Sequence, residues 1–287
     1  MDIIKFAKLK KIAGGSGSGG SSGGGSSGGV GSKLAQTLNK SITEITANDL
    51  ADVTAIPASM FTQCDSLTSV VIPNSVTSIG DSAFSWCDLL TSVKIGNGVI
   101  TIGSQAFWYC KNLTSITMPI NVTTIGKEAF AQCSAASGTL TIPNSVTNIG
   151  AYAFHNTAFS GSITIPASVT TMGTHIFANC KFESAIYEST ANMPDYLFQY
   201  CRSLKKVKVL SSPQYVARTF YECNALQVVD FSNATAIPTM NNSQAFYYVP
   251  STCKVVIPDE LYDSWTTATN WSALKVTYVK ASEYVEE

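Results

Sequence analysis

Hydrophobic positions in this chain come in two short bursts and then return on one side of a turn. In residues 67–89, LTSVVIPNSVTSIGDSAFSWCDL, the apolar Leu67, Val70 and Ile72 predict a short β-strand with its inward residues toward the end. Pro73-Asn74-Ser75 predicts a turn. Val76 to Ile79 predicts a second short extended piece, stopped by Gly80. Phe84 and Cys87 stand three apart, which predicts one side of a single helical or 3₁₀ turn.

The same order of elements returns in residues 90–112 and again from Leu113. Phenylalanine marks the period: Phe61, Phe84, Phe107, Phe130, Phe154, Phe177, Phe198, Phe220 and Phe246, at intervals of 23, 23, 23, 24, 23, 21, 22 and 26. A near-constant period of this length predicts a solenoid, in which each unit buries its apolar face only against its neighbours. Strands stacked ~4.8 Å apart would make nine copies a curved slab on the order of 40 Å long. Each inward row then becomes a ladder of like side chains, Phe on Phe and Cys on Cys. The glycine that closes the second burst recurs as Gly103, Gly126, Gly150 and Gly173, a position expected to need either positive φ or very tight clearance.

The string L-x-x-L-x-L-P, then V-x-x-I-G, then A-F-x-x-C resembles the BspA-type (Treponema-type) leucine-rich repeat family over about residues 41–258. The resemblance implies a mainly β, right-handed parallel solenoid of about nine repeats of ~23 residues with short helical turns, capped at both ends. It also implies a surface or secreted protein that binds other macromolecules, with no catalytic residues. The pattern weakens after Phe177, where Ile-Gly becomes Met193-Pro194 and then Tyr215-Val216, so irregular curvature is expected there.

Cysteine content changes little in this picture. Cys64, Cys87, Cys110, Cys133, Cys180, Cys201 and Cys223 each fall three residues after a ladder phenylalanine, with Thr157 taking that slot once. They are one repeated core position, and free cysteine packs as a small apolar residue. Side chains running parallel down a ladder do not point at one another, so buried thiols are expected rather than disulfides. The eighth, Cys253, lies outside the ladder and is expected to be more exposed. No paired C-x-x-C occurs, so no zinc site is expected.

Charged residues make up only 13% of the chain and net charge is −1, with no long basic run, so nucleic acid is not an expected partner. The polar positions are filled by Ser, Thr and Asn, a composition that favours an extracellular or virion surface. No 18-residue apolar run exists, so no transmembrane helix is expected.

The ends differ from the middle. Residues 1–13, MDIIKFAKLKKIA, form a short basic amphipathic peptide; lysines interrupt its apolar residues, so it is not read as a secretory signal. It is a candidate docking peptide for a partner such as a virion protein. Residues 14–32 are a Gly/Ser linker with an r.m.s. reach of roughly 25 Å. Residues 33–60 are expected to form an N-terminal cap and partial repeat, with Leu34 and Leu38 at helical spacing and Ile42 and Ile45 in a strand-like piece. Repeats then run over 61–257. In 258–287, Pro258-Asp259-Glu260 predicts a helix start, with Leu261, Trp265 and Ala268 packing on the last rung, a strand over Leu274–Val279, and a frayed tail from Ser282. The two ends are similar to repeat proteins encoded by gut bacteriophages and prophages, among tail or virion components.

Two outward surfaces carry the candidate chemistry. The residues between each Phe and Cys are expected to point partly outward and to line an aromatic ridge: Trp86, Trp108, Tyr109, Tyr200, Tyr221, Tyr247 and Tyr248. The strand face turns basic late in the chain, with Arg202, Lys205, Lys206 and Lys208 as a second candidate that would attract an anionic glycan or an acidic partner. For catalysis the sequence offers little. His155 and His175 occupy different repeat positions and are not expected to meet, and Glu128 is the only acid between Asp88 and Glu183. The chain therefore reads as a non-enzymatic module with no cofactor. Its expected function is recognition of a protein or carbohydrate on a host surface, displayed on a phage virion or bacterial surface. The alternatives are a structural or assembly protein docked through residues 1–13, and a secreted adhesin.

Overall fold

A computed structural model describes residues 42–240 and 243–286. The expected features of residues 1–41, including the docking peptide, the linker and Leu34 and Leu38, lie outside the described residues.

The chain winds as a parallel solenoid whose turns have three sides. On the front side the first apolar burst forms strands such as Ser69–Ile72 and Ser92–Ile95, paired in parallel with Val70 against Val93 and Ile72 against Ile95. On the second side the next burst forms two-residue strands in one six-stranded sheet, which sets Ile56, Ile79, Ile102, Ile125 and Ile149 in register. All five isoleucines are buried. Pairing at a one-repeat offset is what the constant period requires: equal lengths of chain bring each residue opposite its own copy.

Hydroxyl side chains explain the Ser/Thr-rich exterior. Thr91 Oγ1 donates to the carbonyl of Thr68 at 3.1 Å, and Thr114 Oγ1 donates to that of Thr91 at 3.1 Å. Thr77 and Thr123 do the same on the second side, to Thr54 and Ile100. Each exposed threonine thus ties its own turn to the one before it.

The third side differs from expectation. The A-F-x-x-C segment is a 3₁₀ turn only in the last copy, at Ser243–Phe246, and is not helical in the others. In those it is a pair of tight turns with left-handed corners, for example Ser82 at φ 54° and Trp86 at φ 59°. Alternate amides reach across to the next repeat: Ser82, Phe84 and Trp86 N–H donate to the carbonyls of Ser104, Ala106 and Trp108 at 2.7–2.8 Å. The amide between them turns back, with Ser85 N–H donating to the Ser82 carbonyl. The corners let alternate amides face the neighbouring turn, which a helix, with its bonds directed along its own axis, cannot do. Non-glycine residues seldom adopt positive φ. Here the inter-repeat bonds hold them there.

Phe and Cys both point inward, as the repeat predicts. The nine phenylalanines form one continuous column with centroids 5.1–6.4 Å apart; seven of the eight pairs are stacked, and only Phe246 tilts, by 53°, against Phe220. All eight cysteines are free thiols. The ladder thiols donate to the phenylalanine carbonyl of the preceding turn, as in Cys110 Sγ to Phe84 O at 3.1 Å and Cys133 Sγ to Phe107 O at 3.2 Å. Thr157 departs from this pattern: its hydroxyl donates to the Phe154 carbonyl of its own turn at 3.0 Å and shares a hydrogen bond with Cys180 Sγ at 3.2 Å. Cys253 is fully buried, against the expectation that it is more exposed. The strand Lys254–Ile257 follows it directly, and the Cys253 Sγ donates to the Lys254 carbonyl at 3.8 Å.

The recurring glycines are explained by clearance rather than by positive φ. A Cβ on Gly126 would stand 2.5 Å from the carbonyl carbon of Gly103 and 2.5 Å from the nitrogen of Ser104. Both are backbone atoms of the neighbouring turn and cannot swing aside. Gly126→Ala is expected to destabilise the fold by about 1–3 kcal/mol through this overpacking. A urea-unfolding midpoint equal to that of the parent would refute it.

The front sheet is interrupted. It splits into a three-stranded part ending at Ser92–Ile95 and a seven-stranded part beginning at Ser137–Gly138. Among the described residues, the N–H groups of Ser115–Met118 and Thr139–Ile142 have no main-chain partner. Ser115–Met118 lie in the 23-residue interval from Phe107 to Phe130, and Thr139–Ile142 in the 24-residue interval that follows, where Gly138 takes φ 79°. Beyond Phe177, where irregularity is expected, the second-side ladder thins to single bridges, Met193 to Val216 and Tyr215 to Thr239.

At the C-terminal end a short 3₁₀ turn, Asp259–Leu261, leads into the helix Tyr262–Thr267, and the last strand is Thr277–Lys280. Trp265 and Trp271 are buried, with centroids 5.5 and 5.8 Å from Phe231. Trp271 also donates its indole N–H to the Pro238 carbonyl at 2.8 Å. Leu261 and Ala268 pack against the same core. The tail is not frayed: a 3₁₀ turn at Ala281–Glu283 carries it back over the front strands.

Candidate binding surfaces

The ridge residues all lie on the third side, and the turn geometry decides how far out each one stands. The residue after each Phe sits between the two left-handed corners. Ser85, Ala131 and Ala178 at that position are buried. The residue before each Cys is itself a left-handed corner: Trp86, Tyr109, Tyr200 and Tyr248 have φ of 57–60°.

The structure gathers the ridge into two clusters and does not join them. In the first, the Trp86 and Tyr109 rings stack at 4.1 Å and 11°, and Trp108 meets both edge-on at 5.3 and 4.8 Å. The Lys111 ammonium lies 5.4 and 5.1 Å from the Trp86 and Tyr109 ring centres. In the second, Tyr221 stacks on Tyr247 at 5.1 Å, Tyr248 meets Tyr247 at 4.3 Å, and Tyr200 stands edge-on to Tyr221 at 6.3 Å. Tyr247 and Tyr248 are 42% and 63% exposed, whereas the other five ridge rings are half-buried. Between the clusters runs a ladder of amides in place of rings, in which Asn156 Nδ2 donates to Gln132 Oε1 at 2.8 Å and Asn179 Nδ2 donates to Asn156 Oδ1.

A third group was not anticipated from the sequence. The other left-handed corner, two residues before each Phe from Phe61 to Phe198, forms its own ladder. It runs from Ser82 through Gln105 and Glu128, with Gln105 Nε2 donating to Glu128 Oε2 at 2.5 Å, and continues as a stack of Tyr152, His175 and Tyr196 at 4.4 and 4.5 Å. The Arg218 guanidinium covers Tyr196 at 4.7 Å and holds Asp195 through two bonds, Nε to Oδ1 at 2.9 Å and Nη2 to Oδ2 at 3.0 Å. Those bonds hold the Asp195 carboxyl below its ordinary range. The signal was present in the sequence as a recurring position two before Phe, filled by long polar and aromatic residues.

The two histidines occupy different repeat positions, as expected, but they share one aromatic neighbour. His155 and His175 both pack on Tyr152, at 5.5 Å edge-on and 4.4 Å stacked. They belong to different ladders, but those ladders are adjacent across one rung. Burial lowers the basicity of both imidazoles, and each keeps its Nδ1 buried with no partner among the described residues.

The basic strand face is also rearranged. Lys206 and Lys208 alternate outward with the buried Val207 and Val209 in the front strand Lys206–Val209, and Lys205 is exposed. Arg202 does not join them: its guanidinium lies 5.7 Å from the Tyr200 ring centre and 3.8 Å from Glu222, at the edge of the second aromatic cluster. The tail already meets this face. Lys206 Nζ donates to Glu286 Oε1 at 3.0 Å, and Lys254 Nζ lies 6.0 Å from the Tyr284 ring centre.

Among the described residues no three His, Cys, Asp or Glu side chains stand where they could share a metal ion, and no helix is long and apolar enough to cross a membrane.

A family model described as the BspA type leucine rich repeat region matches residues 37–158 and 136–252, in 6 copies. Among solved structures the chain is similar to the leucine rich repeat protein of T. pallidum, 28% identical over 61% of this chain and 72% of that one, with a TM-score of 0.45. It is also similar to a leucine rich cell surface protein from Faecalibacterium prausnitzii A2-165, 24% identical over 80% of this chain and 83% of that one, with a TM-score of 0.40. A third likeness is to the pneumococcal vaccine antigen PcpA, 13% identical over 82% of this chain and 77% of that one, with a TM-score of 0.40. No curated protein matches this chain.

Proposed function

We propose, from the premise that this chain belongs to the BspA-type leucine-rich repeat family, that it is a non-catalytic module that recognises a protein or glycan on a cell surface. The observation that carries this reading is the second aromatic cluster. Tyr247 and Tyr248 are the most exposed rings of a stacked group, and cationic and acidic side chains, Arg202 and Glu222, flank that group. Stacked rings with one side toward solvent and a charged rim are the usual anchors of protein and sugar partners. The smaller cluster of Trp86, Trp108 and Tyr109 under Lys111 is a second anchor on the same side, four turns from Tyr200 and six from Tyr247 and Tyr248, or roughly 20 and 30 Å at the spacing of stacked strands.

The module is displayed on a bacterial or virion surface, carried by the Gly/Ser segment 14–32. A purely structural role docked through residues 1–13 makes the opposite prediction in the same assay.

The left-handed corners set the choice of variants. Alanine at Trp86, Tyr109 or Tyr248 would remove the ring and also strain the backbone. Asparagine tolerates that conformation and already occupies the same corner as Asn156 and Asn179. Tyr247→Ala with Tyr248→Asn is expected to lower capture of the full chain on immobilised cell-surface extract and glycan arrays by tenfold or more, on the order of 1.4 kcal/mol. Far-UV circular dichroism should not change. Unchanged capture by this variant and by Trp86→Asn/Tyr109→Asn would refute the reading. Capture of virion proteins alone, abolished by deleting residues 1–13, would favour assembly.

A further inference from the structure

The front face late in the chain carries its own clue to what it binds. Three neighbouring strands present Lys206, Val228 and Lys254 in one row, Lys206 paired with Val228 and Val228 with Lys254. Inward valines hold these strands flat against the core, and the lysines stand on the outer side. The tail does not extend this sheet as a further strand. It turns at Ala281–Glu283, where Asp259 Oδ1 accepts the Ser282 N–H at 3.0 Å, and then crosses the row. Tyr284 lies by Lys254 and Glu286 binds Lys206, with Lys208 adding its field to the Glu286 carboxylate. The tail and the row enclose a shallow cavity of about 280 Å³ over Val228, Gln227 and Thr252, and Val285 above it stays 78% exposed.

Three features of this contact point outward. Its two anchors are residues i and i+2, which an extended segment places on one side. The anchors are chemically distinct, an aromatic ring on one ammonium and a carboxylate on the other. The contact is also loose, because the ion-pair side chains are 36% and 60% exposed and Val285, between the anchors, is 78% exposed.

We propose that the face built from Lys206, Lys208, Val228 and Lys254 is a binding site for an extended acidic peptide of a partner protein, of pattern aromatic-x-carboxylate, and that residues 284–286 are its resident competitor. This site is on the front side of the turn, whereas the aromatic clusters are on the third, and it does not depend on their role. A covalently attached competitor holds such a site closed until a partner segment of better fit displaces it.

The test uses fluorescence anisotropy with a labelled synthetic heptapeptide of residues 281–287, ASEYVEE, and its Glu286→Gln/Glu287→Gln form ASEYVQQ, on the full chain. The Tyr284→Ala/Glu286→Ala variant, whose own tail no longer competes, is expected to bind ASEYVEE about fivefold tighter than the parent. ASEYVQQ should bind at least fivefold more weakly than ASEYVEE, and Lys206→Ala/Lys208→Ala should abolish binding. No gain in the tail variant overturns the proposal, as does equal binding by the lysine variant. Dextran sulfate is the contrasting probe: if it displaces the peptide while ASEYVEE and ASEYVQQ bind alike, the face is a general polyanion site and the peptide proposal falls. Thermal unfolding of each variant distinguishes lost binding from lost fold.

Discussion

Raising the pH above 9 is expected to unfold this protein over a narrow range. Seven of the eight thiols, Cys64, Cys110, Cys133, Cys180, Cys201, Cys223 and Cys253, are raised above the ordinary value of 9.0 by burial first, with neighbouring thiols adding to it for Cys64, Cys110, Cys201 and Cys223. Cys133, Cys180 and Cys253 are pushed up to about 12. The physical cause is plain in the geometry. Most of these sulfurs are donors to a backbone carbonyl, and a thiolate there would face an oxygen with no water to solvate it. Below pH 9 both folded and unfolded chains keep their thiol protons, so the contribution to stability is whole. Between 9 and about 12 the unfolded chain gives up its protons and the folded chain does not, so stability falls as pH rises. Each such thiol removes about 1.4 kcal/mol per pH unit. Seven together remove roughly 10 kcal/mol per unit, comparable with the whole stability of an ordinary domain. Urea-unfolding midpoints at pH 8, 9 and 10 measure this directly. Cys133→Ala should flatten the slope by about 1.4 kcal/mol per unit. A midpoint that holds steady from pH 8 to 10, or a slope indifferent to the number of cysteines, would sink the account.

Phe130→Ala is expected to cost about 3–5 kcal/mol. The ring is buried in mid-column, stacked on Phe107 at 5.2 Å and 3° and on Phe154 at 5.6 Å and 6°. Its removal leaves a void that neither neighbour can fill, because each is held by its own turn's bonds to the next repeat. In a one-dimensional core the loss falls on the coupling between the two halves. Unfolding should therefore broaden, or split into two steps, in denaturant titrations followed by circular dichroism. Phe61→Ala is the control, since among the described residues that ring stacks on Phe84 alone and should cost distinctly less. Equal losses at the two positions would mean that the column is not the coupling element.

Much of this was legible before any coordinates. The period of Phe61 through Phe246 already implied the column, and the spacing of three from Phe to Cys implied a thiol ladder beside it. The recurring glycine posed a choice between conformation and clearance, and only the approach of Gly126 to Gly103 resolved it. The A-F-x-x-C segment misled because a separation of three suits a helical turn and a pair of left-handed corners equally well. Propensity offered no correction, since Trp86, Tyr109 and Tyr152 are residues that rarely take positive φ. The ridge was found by its position, but its division into two clusters was not. Gln132, Asn156 and Asn179 interrupt it with an amide ladder of their own.

What the sequence determined by itself is everything that follows from translation: which residues stack, which face inward, and in what order. A repeated chain has one way to place each residue against its copy, so the period carries that information whole. Contacts that join unlike positions had to come from the tertiary structure. The packing of both His155 and His175 on Tyr152, the burial of Cys253, the break in the front sheet and the return of Glu286 to Lys206 all depend on how adjacent turns are offset and where the chain bends at its end. Those offsets are set by packing between different residues, and a repeat pattern records only the packing of like on like.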